Sequence, residues 1–149
     1  MTRVTSFAQV CILSAALAVP GVMHAQTFKV AKYDIGGEGG TDYVTAEPGT
    51  RRVFVSRSTH VMVVDGATGK AVWSVNILAD NQAENIAHGV CASPLVLDDK
   101  VLVCPTGGNG LSLAGYDRAA GKRLWQAGKH PASYGSPLLA ELAGTRQVL

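Results

Sequence analysis

Grouped basic residues are absent from this sequence, and so is any long apolar run after its first 25 residues. Nucleic-acid binders carry clustered Lys and Arg. Here Arg51-Arg52 and Lys122-Arg123 stand apart among turn and strand residues, which argues against a nucleic-acid partner. The lack of a second apolar run leaves no transmembrane span to expect once the N-terminus is set aside. Charged side chains make up only 16% of the 149 residues against 47% apolar, a composition that excludes a disordered chain. Aromatics are scarce at 6% while glycine numbers 17, a balance suited to short strands joined by tight turns.

Catalytic signatures are missing as well. No serine nucleophile elbow is present, and Ser93 and Ser136 both precede prolines in repeated context, which argues for a structural role. The glycine-rich stretches Gly36-Gly37-Glu38-Gly39-Gly40 and Gly107-Gly108-Asn109-Gly110 do not lead into a helix, as a phosphate cradle requires. Gly115 to Lys122 is one residue too long for a P-loop and is followed by Arg123 rather than Ser or Thr.

The N-terminus has the three parts of a secretory signal. Arg3 supplies a positive start, Val10 to Val19 is apolar apart from Ser14, and Pro20-Gly21 breaks the run. Met23-His24-Ala25 then offers a small residue for cleavage, so 1–25 is expected to be a signal peptide and Gln26 the mature start. A buried N-terminal helix or a retained anchor is the other reading of this run. Loss of 1–25 leaves 12 basic and 11 acidic side chains. The expected location is the periplasm or the extracellular medium.

Cys11 falls in the signal, which leaves Cys91 and Cys104 in an exported chain, a setting that favours disulfides. A hairpin turning at Asp98-Asp99 places these two across from each other with an offset of about one pleat. Two states stay open: a bond, whose geometry is demanding, and a pair of free buried thiols.

Internal repeats organise the rest. Asp65-Gly66-Ala67-Thr68-Gly69-Lys70-Ala71-Val72-Trp73 and Asp117-Arg118-Ala119-Ala120-Gly121-Lys122-Arg123-Leu124-Trp125 share Asp, Ala, Gly-Lys and Trp at the same places. Ser93-Pro94-Leu95-Val96 returns as Ser136-Pro137-Leu138-Leu139. A period of roughly 40–50 residues is that of four-stranded propeller blades. The expected fold is therefore all-β: a β-propeller of four-stranded antiparallel blades, incomplete, with about two and a half blades present. The first repeat reads as strands over Tyr43 to Ala46, Arg52 to Val55, Val61 to Val64 and Ala71 to Val75. The second reads as Ala92 to Leu97, Lys100 to Cys104, Leu111 to Tyr116 and Arg123 to Ala127. Asp65 and Asp117 can bond nearby amides, and Gly69 and Gly121 supply positive φ. Trp73 and Trp125 are expected to fill the wedge between neighbouring blades rather than to stack on a planar cofactor.

The organisation that follows is a lead-in over 26–41, a blade over 42–77, a linker loop over 78–90, a blade over 91–128, and the start of a third over 135–149. Val148-Leu149 falls within a second strand, so the chain reads as a truncated piece of a longer propeller. Assembly of several short chains into one ring is the other way to close it.

Gly89 to Leu149 resembles the pyrroloquinoline-quinone (PQQ) binding-like β-propeller repeats. The likeness rests on Ala92-Ser93-Pro94-Leu95-Val96, on Tyr116-Asp117 with Gly121-Lys122 and Trp125, and on Gly135-Ser136-Pro137-Leu138. Asp42 to Val75 is similar to YVTN-type propellers, through Tyr43-Val44-Thr45-Ala46, Arg52-Val53-Phe54-Val55-Ser56 and Val61-Met62-Val63-Val64-Asp65. The PQQ-like family includes quinoprotein alcohol and glucose dehydrogenases, and also a propeller lipoprotein of outer-membrane protein assembly that binds no quinone. The resemblance thus implies PQQ with Ca²⁺ for one branch and no cofactor for the other. A quinoprotein needs oxygen ligands for Ca²⁺ from several blades and a general-base Asp. No Asp or Glu here stands in a recognisable version of that setting. The position two before the repeat Asp, small and apolar in the family, is Val63 and then Gly115.

Three histidines remain. His60 is expected at a hairpin tip and His130 in an inter-blade loop, both as exposed loop residues. His88 shares the longest loop, Leu78 to Gly89, with Asp80 and Glu84, yet their spacing matches no strong metal signature. The function expected is a non-catalytic module that presents propeller loops to another protein or a ligand. The alternative is a fragment of a PQQ-dependent dehydrogenase oxidising an alcohol or sugar. A third reading joins two different propeller sequences near Leu78 to Gly89.

Overall fold

The computed structural model describes residues 27–105, 112–131 and 133–149. The expected signal segment and Gly107 to Gly110 lie outside these residues. Residues 27–31 belong to a first compact unit and have no regular secondary structure. Every element below lies in the second unit, Lys32–Leu149.

Strands β1 (Val44–Ala46), β2 (Arg52–Arg57), β3 (His60–Asp65) and β4 (Ala71–Asn76) pair antiparallel in chain order as one four-stranded blade. A second blade repeats the order with β5 (Leu95–Leu97), β6 (Lys100–Val103), β7 (Leu113–Asp117) and β8 (Arg123–Ala127). A hairpin of β9 (Leu139–Leu142) and β10 (Thr145–Val148) follows, turning at Ala143 and Gly144, both at positive φ. The architecture is an incomplete β-propeller of about two and a half blades.

Local chemistry sets the strand ends. β2 and β3 stay paired to their last rung, Arg57↔His60, because the two-residue turn Ser58-Thr59 closes tightly with Ser58 at φ 45°. β5 begins at Leu95 rather than at Ala92. Pro94 has no amide to give the ladder, and the Ser93 amide donates to Ser136 Oγ at 2.8 Å instead. Where the sequence implied only loop after β4, Ile77–Asp80 forms one helical turn, α1. Asn76 Oδ1 caps it by accepting the Ala79 amide hydrogen at 2.9 Å, and Ile77 and Leu78 are buried.

The strand period of two puts Phe54, Val61 and Val63 on one face of the first blade. Val101, Val103, Ala114 and Tyr116 come from the second blade, and with Ile77, Leu78 and Val90 the set forms a single buried cluster between the two. Burying each large apolar side chain contributes about 1.5–3 kcal/mol, so this seam is where the two blades hold together. Register shifts at Val63/Val64 and at Gly115/Tyr116 fall at equivalent places in the two blades, where each last hairpin leaves its Asp turn.

Candidate functional site: the seam between blades

The two Asp turns are built alike. Asp65 Oδ1 accepts the amide hydrogens of Ala67 and Thr68, both at 3.0 Å, and the Thr68 hydroxyl at 3.1 Å. Asp117 Oδ1 accepts the amides of Ala119 at 2.9 Å and Ala120 at 2.7 Å. Each Asp carbonyl also takes the amide of the turn glycine, Gly69 at 2.7 Å and Gly121 at 2.8 Å. These glycines sit at φ 69° and 70°, the left-handed region that disfavours a Cβ. Desolvation, the largest single influence, works against ionisation of Asp65. The bonds from Thr68 and Ala67 and the Arg51 guanidinium, 3.0 Å away, outweigh it and hold the carboxyl below its ordinary value.

Gly121 is also where the blades meet. Trp73, opposite Val63 in the β3–β4 ladder, lays its ring over Gly121: a Cβ there would stand 2.7 Å from Trp73 Cδ2 and Cε3. The indole Nε1 donates to the Arg118 carbonyl at 3.1 Å, and the Phe54 ring meets the indole edge-on at 6.3 Å between centroids. Arg52 Nη1 donates to the same carbonyl at 3.0 Å. Arg118 Nη1 in turn reaches the buried Glu47 carboxylate at 2.6 Å, whose other oxygen accepts the Thr50 hydroxyl at 2.7 Å. Trp125 stands over Gly115 of its own blade, where a Cβ would lie 2.7 Å from Cζ2.

Residues that the motif search passed over complete this seam. Glu47 belonged to a stretch read only as a turn, and Arg118 has Gly66 as its counterpart, so neither repeats. Tyr33 covers Gly69 as Trp73 covers Gly121: a Cβ on Gly69 would lie 2.7 Å from Tyr33 Cγ, and the phenol donates to Ala67 O at 2.6 Å. Near the start of each blade, the hydroxyls of Thr45 and Ser93 share a hydrogen bond at 2.9 Å, and the Ser93 amide donates to Ser136 Oγ.

Cys91 and Cys104 are free thiols, both half-buried, the second of the two states that the sequence left open. The ladder Leu95↔Leu102 sets Cys104 nearest Ser93 in register, and Cys91 lies before β5 begins. Burial raises the Cys104 thiol above its ordinary value.

The polar residues of the 78–90 loop are not brought together. Asp80 ends α1, and its Oδ2 accepts the Tyr116 hydroxyl at 2.9 Å, while Asn81 Nδ2 donates to the same phenol at 2.7 Å. Burial and the bond to Asp80 push the Tyr116 phenol well above the usual tyrosine range. His88 instead meets the Tyr134 ring at 5.6 Å. His60 opens β3 and shares a hydrogen bond with Thr59 at 2.7 Å, and the His130 amide donates to Ser112 Oγ at 2.8 Å.

A Ca²⁺–quinone centre does not fit the described residues. Ca²⁺ takes six to eight oxygens, typically several carboxylates together. Here the carboxylates of Glu47, Asp65, Asp80 and Asp117 are each occupied by arginine, hydroxyl or amide partners in separate places. Among the described residues no group of three or more His, Cys, Asp or Glu could hold a metal ion.

Residues 25–149 match a family model of PQQ-like repeats described as outer membrane protein assembly factor BamB. Among solved structures, the chain is similar to a europium-containing methanol dehydrogenase at 25% identity and a TM-score of 0.43. That match covers 60% of this chain and 15% of the other. A quinohemoprotein alcohol dehydrogenase from Comamonas testosteroni matches at 24% identity and a TM-score of 0.43, over 52% and 12%. BamB from Moraxella catarrhalis matches at 25% and 0.42, over 67% and 26%. The chain therefore spans about a quarter or less of the length of these structures. No curated protein matches it.

Proposed function

The chain belongs to the PQQ-like repeat family of outer membrane protein assembly factor BamB, and on that premise we propose that it works as a non-catalytic scaffold in the periplasm. It offers its inter-blade loops to another protein in outer-membrane protein assembly. Segment 1–25 serves as the export signal, cleaved after Ala25. The blades take 42–77 and 91–128, with a third beginning at 135. Among the described residues no helix is long and apolar enough to cross a membrane.

The observation that carries this reading is where the polar atoms of the repeat motif go. The Asp65 and Asp117 carboxylates, the Trp73 indole nitrogen and the Arg118–Glu47 pair all serve turns or the seam. What projects is the outer part of the connections after β4 and β8, where Tyr134 stands 45% exposed against His88. Loops held on a rigid frame are the usual place for recognition, while fold alone does not assign chemistry.

A photo-cross-linking side chain at Tyr134 in the exported protein should give an adduct with an outer-membrane assembly protein. The same group at Leu124, on the outer strand β8, should not. Equal labelling at both positions would refute the loop assignment. Adding PQQ with Ca²⁺ should leave the melting temperature unchanged, and a quinone-dependent rise would favour the dehydrogenase reading instead.

A further inference from the structure

The opposite face of the first blade holds a second polar arrangement, which does not depend on the scaffold reading. The pairs Arg57↔His60 and Met62↔Ser74 place these four residues on the face of β2–β4 turned away from the seam. Gly37 and Glu38 of the glycine-rich lead-in complete the lining of a cavity of about 130 Å³ around them.

Arg57 dominates that space. It is only 8% exposed, and its guanidinium is clasped by backbone: Nη1 donates to Gly36 O, and Nη2 to Gly37 O at 2.9 Å and Gly39 O at 2.7 Å. Gly36, Gly37 and Gly39 present their carbonyls this way at φ 60°, 84° and 76°. All three acceptors are neutral, and the ion pairs of the described residues do not include Arg57. Its buried Nε hydrogen has no acceptor among the described residues. A buried cation with no ion pair, beside a cavity whose lining holds one acid, Glu38, is a demand for negative charge. Two more donors line the same space. The His60 ring has Nδ1 engaged by Thr59, so its Nε2 donates in the tautomer in which the Thr59 hydroxyl donates to Nδ1, and Ser74 contributes its hydroxyl.

We propose that this cavity binds a small carboxylate, drawn by the Arg57 charge and hydrogen-bonded by Ser74 and His60 at its lining. Its size admits an acetate-like group. The Glu38 carboxylate lines the same cavity and competes with the ligand for these donors, so it sets the affinity from within.

The test titrates acetate into the full chain at constant ionic strength, with chloride as the balancing ion, and follows the Arg57 Nε–Hε correlation by NMR. The expected result is a saturable shift of that one signal. Arg57→Lys identifies the signal by removing it. Ser74→Val, a change on an exposed strand position that leaves the fold in place, should weaken binding about tenfold, and Glu38→Gln should tighten it several-fold. A signal that does not saturate, or a Ser74→Val protein that binds acetate as the parent does, would overturn the proposal. Inorganic phosphate bound in preference to acetate would overturn it too, by assigning the cavity to tetrahedral anions.

Discussion

Gly121→Ala is the most informative single change in the seam. At φ 70° an alanine would bear the left-handed penalty, about 1–2 kcal/mol. Its methyl group would also stand 2.7 Å from two carbons of the Trp73 ring, which cannot yield without moving off Phe54, and such overpacking costs about 1–3 kcal/mol. A displaced indole loses its hydrogen bond to Arg118 O, worth about 1 kcal/mol. Together these give a loss of about 3–6 kcal/mol, a large share of the total stability of an ordinary domain. Gly49→Ala is the control: Gly49 has φ 75° but nothing within 4 Å of a Cβ, so only the backbone penalty of about 1–2 kcal/mol applies. Urea unfolding of the full chain, followed by circular dichroism and tryptophan fluorescence, reads both. A double variant with Trp73→Phe should recover part of the Gly121→Ala loss, because the smaller ring leaves room, and that non-additivity is the mark of contact. Equal midpoint shifts for Gly121→Ala and Gly49→Ala would refute the idea that the ring on the glycine joins the blades.

Arg118→Ala leaves the buried Glu47 carboxylate without its cation. Because the Arg118 side chain is 38% exposed, the expected loss in urea is only about 1–2 kcal/mol, and adding Glu47→Gln should restore part of it. Tyr33→Ala should cost about 1–2 kcal/mol by removing the phenol bond to Ala67 and uncovering Gly69, whereas Tyr33→Trp should cost less. The Tyr116 phenol ionises at higher pH folded than unfolded, so its contribution is whole below the ordinary value of 10.0 and is lost as pH climbs through the raised folded value. Tyr116→Phe should therefore flatten the alkaline side of a stability-against-pH curve, and an unchanged alkaline slope would count against the buried bond to Asp80. Mass spectrometry after alkylation in urea without reductant should find Cys91 and Cys104 both modified, with Cys104 slower than in the unfolded chain when the fold is intact.

The blades were legible in the sequence because their signals are local. An Asp that bonds amides two and three residues on, a glycine four on, and a tryptophan eight on make a hairpin that needs no distant partner. The turn at Asp98-Asp99 likewise gave the pairing of β5 with β6. The seam was not legible, since Glu47 and Arg118 are 71 residues apart and meet only because two blades pack. Tyr33 hid for the same reason: its partner is a glycine that looks complete within its own turn. α1 is a single turn, too short for a helical period to show, and it is fixed by one cap at Asn76 and by burial. The state of the cysteines could not be read from the hairpin register alone, because Pro94 delays the strand and leaves Cys91 outside the ladder.

The Trp73 joint recognises a main-chain carbonyl and a missing side chain, two features that almost any residue at position 118 would leave intact. Neighbouring blades joined in this way need not change in step. A substitution at an exposed loop position asks nothing of the next blade, provided that the ring, the glycine and the buried anchors Ile77, Leu78, Asn81 and Val90 are kept. Such a joint separates what holds the frame from what the frame displays, so the exposed parts of the connections after β4 and β8 are free to diversify toward new partners at little cost to assembly.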